Sequence, residues 1–135
     1  DEPSLHESLR RITFNLLIGN GDAHLKNWSM IYPDGKRATL SPAYDLVSDG
    51  AYFSSIDIGL KFANNKLYER VSRNDFRRLA FKLEYSEVTT LEIVDELVNS
   101  FWHAWRGELR QITPPPVVDF IEHHAPEISR QLTRR

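Results

Sequence analysis

A nine-residue stretch of this sequence, Gly19 to Asn27, concentrates side chains that can act together on a substrate. It supplies a carboxylate, an imidazole, an ammonium group and an amide, from Asp22, His24, Lys26 and Asn27. An Asp carboxylate within hydrogen-bond reach of a hydroxyl can accept its proton as the hydroxyl attacks phosphorus. The stretch therefore predicts a catalytic loop in which Asp22 is the base.

Two residues carry the oxygen chemistry that Mg²⁺ prefers. Asn27 follows Asp22 by five positions, and Asp45 lies further along, in Tyr44-Asp45-Leu46. A neutral amide oxygen beside one carboxylate binds a hard cation without crowding negative charge against nucleotide phosphates. Kinase catalytic lobes place an Asp, an Asn five residues later and a second metal-binding Asp in this order. The spacing predicts that Asn27 and Asp45 are Mg²⁺ ligands.

A helix must deliver the loop, and the residues before it have helical periodicity. Ser4 and Glu7 have the pattern of a capping box, which predicts that the helix begins there. Its apolar residues are spaced four, three and four apart and form one stripe that leads to Gly19. The members of this stripe are Leu5, Leu9, Ile12 and Leu16.

A β-hairpin is predicted between the two candidate site segments. Pro33–Lys36 has the composition of a tight turn, which would set Tyr32 opposite Arg37. Counted back along that register, Asn27 lies opposite a residue three positions before Asp45. Three residues of extended chain span at most about 10 Å. The hairpin is therefore expected to bring the two predicted metal ligands to one ion.

The remaining chain is predominantly helical in its patterning. Residues 47–66 are expected to be irregular structure around the site. Ser72 and Asp75 predict the cap of one helix, Thr89–Arg110 a longer amphipathic helix, and the prolines at 114–116 its end and the start of another. The predicted fold class is α+β, mostly α, with one small hairpin that carries the catalytic and metal-binding loops.

Length and composition limit the possible classes of protein. At 135 residues with 41% hydrophobic residues, the chain fits a single domain spanning 1–135. A net charge of −2 argues against nucleic acid as a direct partner, since phosphate binding relies on clustered Lys and Arg. There is no cysteine, which excludes disulfides and thiolate chemistry. No stretch reads as a membrane span or signal peptide, so a cytoplasmic location is expected.

Two segments resemble the signature of a known family. Asn15–Ser29 and Leu40–Leu46 are similar to the catalytic and metal-binding segments of HipA-like serine/threonine kinases. The likeness continues through Asp57–Ala63 and, more loosely, through the helical remainder. The resemblance implies the carboxy-terminal lobe of a Mg²⁺- and ATP-dependent kinase, the toxin of a bacterial toxin–antitoxin pair. It also implies a protein substrate such as an aminoacyl-tRNA synthetase, and restraint by a DNA-binding, HipB-like antitoxin.

The resemblance also implies a role for each residue of the candidate site. Asp22 corresponds to the catalytic base, Asn27 and Asp45 to the Mg²⁺ ligands, and His24 and Lys26 to supporting members of the loop, with Lys26 able to contact phosphate. Kinases of this family also have an amino-terminal lobe with a phosphate-covering loop, and no glycine-rich segment of that kind is visible here. The chain is therefore expected to be one lobe of a longer kinase and inactive on its own.

Other interpretations of the chain stay open. Asp22 can be a turn residue, because Asn-Gly-Asp is common turn chemistry. The whole chain can be a non-catalytic pseudokinase lobe or helical scaffold that binds a partner. It can also be a small-molecule phosphotransferase, since aminoglycoside and lipid kinases use the same Asp, Asn and Asp. A metal hydrolase built on Asp22 and His24 is a weaker third alternative.

Two pairs of residues outside the loop have simpler interpretations. His123 and His124 are adjacent, so they point apart on a helix and are predicted to be surface groups. Trp102 and Trp105 lie three residues apart on the long predicted helix and are predicted to pack its apolar face into the protein core.

Overall fold

The computed structural model describes residues 1–20, 29–43, 46, 48, 51–52 and 68–134. Within these residues the chain is mostly helical and has one small antiparallel sheet, which confirms the predicted fold class. The elements are α1 (Glu2–Ile18), β1 (Met30–Ile31), β2 (Thr39–Leu40), a 3₁₀ turn (Tyr68–Arg70), α2 (Arg73–Lys82), α3 (Glu87–Ala104) and α4 (Pro115–Thr133).

Helix α1 begins earlier than the capping-box pattern predicts. Asp1 is its N-cap, and an Asp1 carboxylate oxygen accepts the backbone N–H of Ser4 at 2.9 Å. Asp is at least as good an N-cap as Ser, and Pro3 is suited to the first helical turn that follows. The predicted start at Ser4 was wrong. The Ser4 hydroxyl instead accepts the backbone N–H of Leu40 at 3.0 Å and ties the hairpin to the helix.

The core lies where α1, α3 and α4 meet, and α2 packs on α3 and α4 and contributes Phe76 to it. Trp105 is buried in it, while Trp102 is partly buried and its indole N–H donates to the Ser129 hydroxyl at 2.8 Å. These contacts confirm that the two tryptophans are packing residues. The most deeply buried apolar side chains of the core include Leu9, Leu16, Leu17, Phe76, Val94, Ala125 and Leu132.

The three later helices are joined by a partly buried ion pair between Arg73 and Asp95. The guanidinium of Arg73, in α2, donates to both carboxylate oxygens of Asp95 in α3, at 2.6 and 2.9 Å. It also donates to the carbonyl of Leu132 in α4 at 3.1 Å. The backbone N–H of Ser72 donates to the Asp75 carboxylate at 2.9 Å, which confirms the predicted cap of α2.

The proline-rich boundary between the last two helices is also as predicted. A π-helical turn, Trp105–Leu109, follows α3 with a kink at Gly107, whose φ of −83° and ψ of −108° are not helical, and α4 begins at Pro115. Helix α4 then continues through Pro126 to Thr133. Among the described residues, none of the helices combines the length and apolar character needed to cross a membrane.

The hairpin forms as predicted, but its register differs by one residue. Ile31 pairs with Thr39. Continued by one residue, this register sets Tyr32 opposite residue 38 and not opposite Arg37 as predicted. The turn takes up the extra residue, because an Asp34 carboxylate oxygen accepts the backbone N–H of both Lys36 and Arg37, at 2.9 and 2.7 Å. The extension of this register to Asn27 lies outside the described residues.

Candidate active site

All five predicted site residues lie outside the described part of the chain. They are Asp22, His24, Lys26, Asn27 and Asp45. The structure does describe the residues that lead into and out of both predicted loops. The supports of the candidate site can therefore be established, while the roles of these five side chains stay predictions.

The start of the predicted catalytic loop is closed tightly against α1. Gly19 adopts a left-handed conformation with φ of 66° and ψ of 45°, as is common just past a helix end. The next residue, Asn20, is buried and makes two hydrogen bonds to Asn15, each 3.0 Å long. One joins the backbone N–H to the backbone carbonyl and the other joins the two side chains. The chain direction is thus set two residues before Asp22.

Helix α4 packs directly on this end of α1. A Cβ on Gly19 would lie 2.5 Å from a ring carbon of Phe120, so the two helices approach closely only because residue 19 is glycine. The His124 Nε2 lies 2.8 Å from the carbonyl oxygen of Leu16. The imidazole also stacks on Phe120 and meets the ring of Tyr68 edge-on, with ring centroids 4.8 and 4.9 Å away.

The predicted surface location of His124 was wrong, whereas His123 is exposed as predicted. His124 follows Phe120 by one helical turn, so both lie on the face of α4 that meets α1. Burial lowers the pKa of His124, and the hydrogen bond to the Leu16 carbonyl opposes this in part. The imidazole is therefore neutral at pH 7 and donates Nε2–H to that carbonyl.

The end of the predicted catalytic loop is hydrogen-bonded to the start of the predicted metal-binding segment. The Ser41 backbone N–H donates to the Ser29 carbonyl at 2.8 Å, one step beyond the β1–β2 pairing. The Ser41 carbonyl in turn accepts from the buried guanidinium of Arg11, which also donates to a Glu7 carboxylate oxygen at 3.0 Å. Arg11 therefore anchors the chain four residues before Asp45.

A second anchor lies on the other side of Asp45. The Ser48 hydroxyl donates to the carbonyl of Ile18, the last residue of α1, at 2.6 Å. Residues 41–48 are thus tied to α1 at both ends, at Arg11 and at Ile18. Residues 20–29 likewise run from the end of α1 to the base of the hairpin. The two predicted loops share the same supports.

The sequence signals for these supporting residues were weak. Arg11 is a single cation four residues after Glu7, which usually indicates an exposed pair on a helix surface. Ser41 and Ser48 have no distinctive spacing. These three residues become recognisable only once the hairpin is placed against α1.

An open pocket of about 230 Å³ lies between α1, α3 and the residues Ala43 and Leu46. Its walls are mainly apolar, and Arg10 contributes a partly exposed cation. The lining residues are Glu7, Arg10, Arg11, Phe14, Ala43, Leu46 and Leu97. The described residues include no group of three or more Asp, Glu or His side chains placed to hold a metal ion.

Comparisons with known proteins agree with this architecture. The family described as "HipA-like C-terminal domain" matches residues 1–105. A Sinorhizobium fredii protein named "Putative kinase Y4dM" is 41% identical, over 90% of this chain and 30% of the relative. A Haemophilus influenzae protein named "Putative kinase" is 48% identical over 34% of this chain and 13% of the relative.

A solved structure shares the fold. It is a Shewanella oneidensis toxin–antitoxin complex of HipA, HipB and operator DNA. The match has a TM-score of 0.74 and 20% sequence identity, and it covers 96% of this chain and 31% of the neighbour. The chain spans about 30% of the length of the Sinorhizobium relative. Because the family match covers most of the 135 residues, the chain belongs to the HipA-like C-terminal domain family.

Proposed function

We propose that this chain is the catalytic lobe of a Mg²⁺- and ATP-dependent serine/threonine protein kinase. In this proposal Asp22 positions and deprotonates the substrate hydroxyl. Asn27 and Asp45 hold Mg²⁺, and His24 and Lys26 support the loop, with Lys26 directed to a nucleotide phosphate. The kinase names of its relatives and its membership of a HipA-like family support this chemistry.

One observation carries the proposal: the two loops are anchored to the same two supports. The Asn20 and Ser29 ends of the first loop lie at the end of α1 and at the hairpin base, and so do the Ser48 and Ser41 ends of the second. Asp45 is three residues from Ser48, so a fully extended chain keeps it within about 10 Å of that anchor. This arrangement favours two loops that face one ligand.

The donor atoms of the proposed site fit Mg²⁺. Asn27 and Asp45 offer one amide oxygen and one carboxylate, and Mg²⁺ is commonly held by one or two carboxylates together with phosphate oxygens and water. When bound, Mg²⁺ would neutralise negative charge on the nucleotide phosphates during transfer. With a single carboxylate, the protein leaves room for those phosphates in the coordination shell.

The proposed reaction needs only one proton acceptor from this lobe. The hydroxyl oxygen of a serine or threonine forms a bond to the γ-phosphorus of ATP, and the bond from that phosphorus to the bridging oxygen breaks. Asp22 takes the hydroxyl proton, and ADP leaves with the bridging oxygen. An ionised carboxylate held on a firmly capped loop is suited to this step.

We further propose that residues 1–135 form one domain of a longer, HipA-type toxin of the cytoplasm. Another part of the protein supplies the lobe that covers the nucleotide, which agrees with relatives about three times as long. A HipB-like antitoxin is proposed as its partner, because the solved neighbour is a complex of HipA with HipB. Its substrate is proposed to be a protein of translation, such as an aminoacyl-tRNA synthetase.

The test uses the complete kinase, in which this chain is joined to the proposed nucleotide-covering lobe. Transfer of labelled γ-phosphate is measured with and without Mg²⁺, for the wild type, Asp45→Ala and the control Asp119→Ala. Asp119 is an exposed acid on α4. We expect Mg²⁺-dependent labelling of serine or threonine in the wild type and control, and its loss in Asp45→Ala.

Two outcomes would reject the proposed protein kinase activity, and each would favour a different function. Labelling of small molecules such as aminoglycosides, with proteins left unlabelled, would indicate a small-molecule phosphotransferase. Absence of any transfer by a folded complete protein would favour a non-catalytic interaction module.

A further inference from the structure

We infer that helix α4 positions the catalytic loop, and that His124 is the positioning residue at the contact. The inference rests on the proposed function and adds to it a residue outside the candidate loops. Helix α4 spans Pro115–Thr133 and lies beyond residues 1–105, to which the family match is confined. Its contacts reach the two places where the chain enters and leaves the region of the site.

The first contact completes the end of α1. The carbonyl of Leu16 belongs to the last turn, where carbonyl groups lack partners within the helix. The Gly19 backbone N–H reaches it only at 3.4 Å, whereas the His124 Nε2 lies at 2.8 Å. His124 thus gives this carbonyl its shorter hydrogen bond, three residues before the loop begins at Gly19.

The second contact fixes the separation between the end of α1 and helix α4. Phe120 lies so close to Gly19 that even a methyl group there would overlap its ring. The imidazole of His124 stacks on the ring of Phe120, with an angle of 22° between the two planes. A shift of the α1 end toward α4 is blocked by Phe120, and a shift away breaks the hydrogen bond from His124.

The third contact reaches the chain where it returns from the site. The ring of Tyr68 meets His124 edge-on. The side-chain amide of Gln131 donates to the carbonyls of Tyr68 and Val71, at 2.9 and 2.6 Å. Gln131 lies two helical turns after His124, on the same face of α4. One helix face therefore holds both the start of the loop and the chain that follows the metal-binding segment.

The packing of α4 does not depend on His124. Val118, Ile121, Ile128 and Leu132 are buried in the core and keep the helix in place. Loss of the imidazole should therefore loosen the end of α1 without detaching α4. Because displacement of a catalytic group by about 1 Å can cost on the order of 100-fold in rate, kcat should be more sensitive than folding.

The experiment compares variants of the complete kinase. His124→Gln keeps an N–H donor at the ε position, and His124→Asn moves the donor one bond closer to the backbone. His124→Leu removes the donor, and His123→Leu is the matched control on the exposed neighbour. Three quantities are measured: kcat, KM for ATP, and amide hydrogen exchange at residues 16–20 without nucleotide.

We expect His124→Leu to raise exchange at residues 16–20 and to lower kcat, each on the order of tenfold, with KM for ATP unchanged. His124→Gln should recover most of both losses, His124→Asn little, and His123→Leu should match the wild type. If His124→Leu does not fold, the test is the comparison of kcat and of amide exchange between His124→Gln and His124→Asn. Equal kcat and equal exchange in those two variants would overturn the inference.

The exchange measurement separates this inference from the proposed kinase activity, because it requires no turnover. Wild-type exchange in folded His124→Leu would overturn the inference whatever the activity of the protein. Faster exchange with unchanged kcat would also overturn it. Absence of transfer by the wild type would reject the proposed function and, with it, any effect of His124 on catalysis.

Discussion

The hydroxyl of Ser48 donates a 2.6 Å hydrogen bond to the carbonyl of Ile18, the last residue of α1. This bond joins two positions that are 30 residues apart in the chain. It links the segment that contains Asp45 directly to the helix end from which the predicted catalytic loop begins. A single serine side chain therefore ties residue 48 to the end of the helix that leads into the predicted catalytic loop.

Replacement of Ser48 by alanine should weaken Mg²⁺ use in the complete kinase. The variant loses one anchor of the Asp45 segment, and a hydrogen bond of this kind contributes about 1 kcal/mol, or roughly fivefold. We expect the Mg²⁺ concentration for half-maximal transfer to rise by about that factor. Ser100→Ala, at an exposed position of α3, is the control. An unchanged Mg²⁺ requirement in Ser48→Ala would show that this anchor does not serve the metal segment.

Replacement of Arg11 by methionine should destabilise the fold. The buried guanidinium satisfies the Ser41 carbonyl, and a buried carbonyl left without a partner costs about 1–3 kcal/mol. Arg10→Met is the matched control, since Arg10 is partly exposed and lies 3.8 Å from the same Glu7 carboxylate. Its effect should stay within about 0.5 kcal/mol. Equal free energies of unfolding in the two variants, by chemical denaturation, would contradict the assigned role of Arg11.

Substitution of Gly19 by alanine should cost more than the same change at Gly35. Both glycines have positive φ, 66° and 73°, so each substitution incurs about 1–2 kcal/mol of backbone strain. Only at Gly19 would the new methyl group overlap Phe120, because an added Cβ at Gly35 meets nothing within 4 Å. The difference between the two free energies of unfolding measures the approach of α4 to α1. A larger loss at Gly35 would contradict that close approach.

The stability of the protein should depend on the protonation of His124. Burial lowers its pKa in the folded state below the ordinary value of 6.5, so below that pH the unfolded chain binds more protons at this residue. Its contribution to stability is present above pH 6.5 and is lost as the pH falls through the folded-state pKa. Among the described residues, the ring contacts the Leu16 carbonyl and the rings of Phe120 and Tyr68.

The measurement for this prediction is the free energy of unfolding between pH 5 and 8. We expect the wild type to lose more stability than His124→Gln as the pH falls, because glutamine does not titrate. Parallel curves for the two proteins would show that the imidazole is not held in its neutral form.

Features with local causes could be predicted from the sequence. The cap of α2 was predictable because Ser72 and Asp75 satisfy each other within one turn. The helix boundary at residues 114–116 was predictable because proline is unsuited to a helix interior and suited to its first turn. The existence of the hairpin followed from its turn residues.

Features that depend on side-chain hydrogen bonds or on distant elements could not be predicted. The hairpin register shifted because the Asp34 carboxylate accepts two backbone N–H groups and holds one more residue in the turn. The role of His124 depends on where α4 crosses α1. Helical periodicity in the sequence does not predict that crossing point. The candidate catalytic residues themselves stay predictions, since they lie outside the described residues.

The most direct test of the proposed kinase activity is a single-turnover measurement on Asp22. Transfer of the γ-phosphoryl group from ATP is compared between the complete kinase and its Asp22→Ala and Asp22→Asn variants, with Asp119→Ala as the control. Loss of the base should lower the rate by a factor of about 100 or more while Mg²⁺-dependent ATP binding persists. A wild-type transfer rate in folded Asp22→Ala would contradict the assignment of Asp22 as the catalytic base.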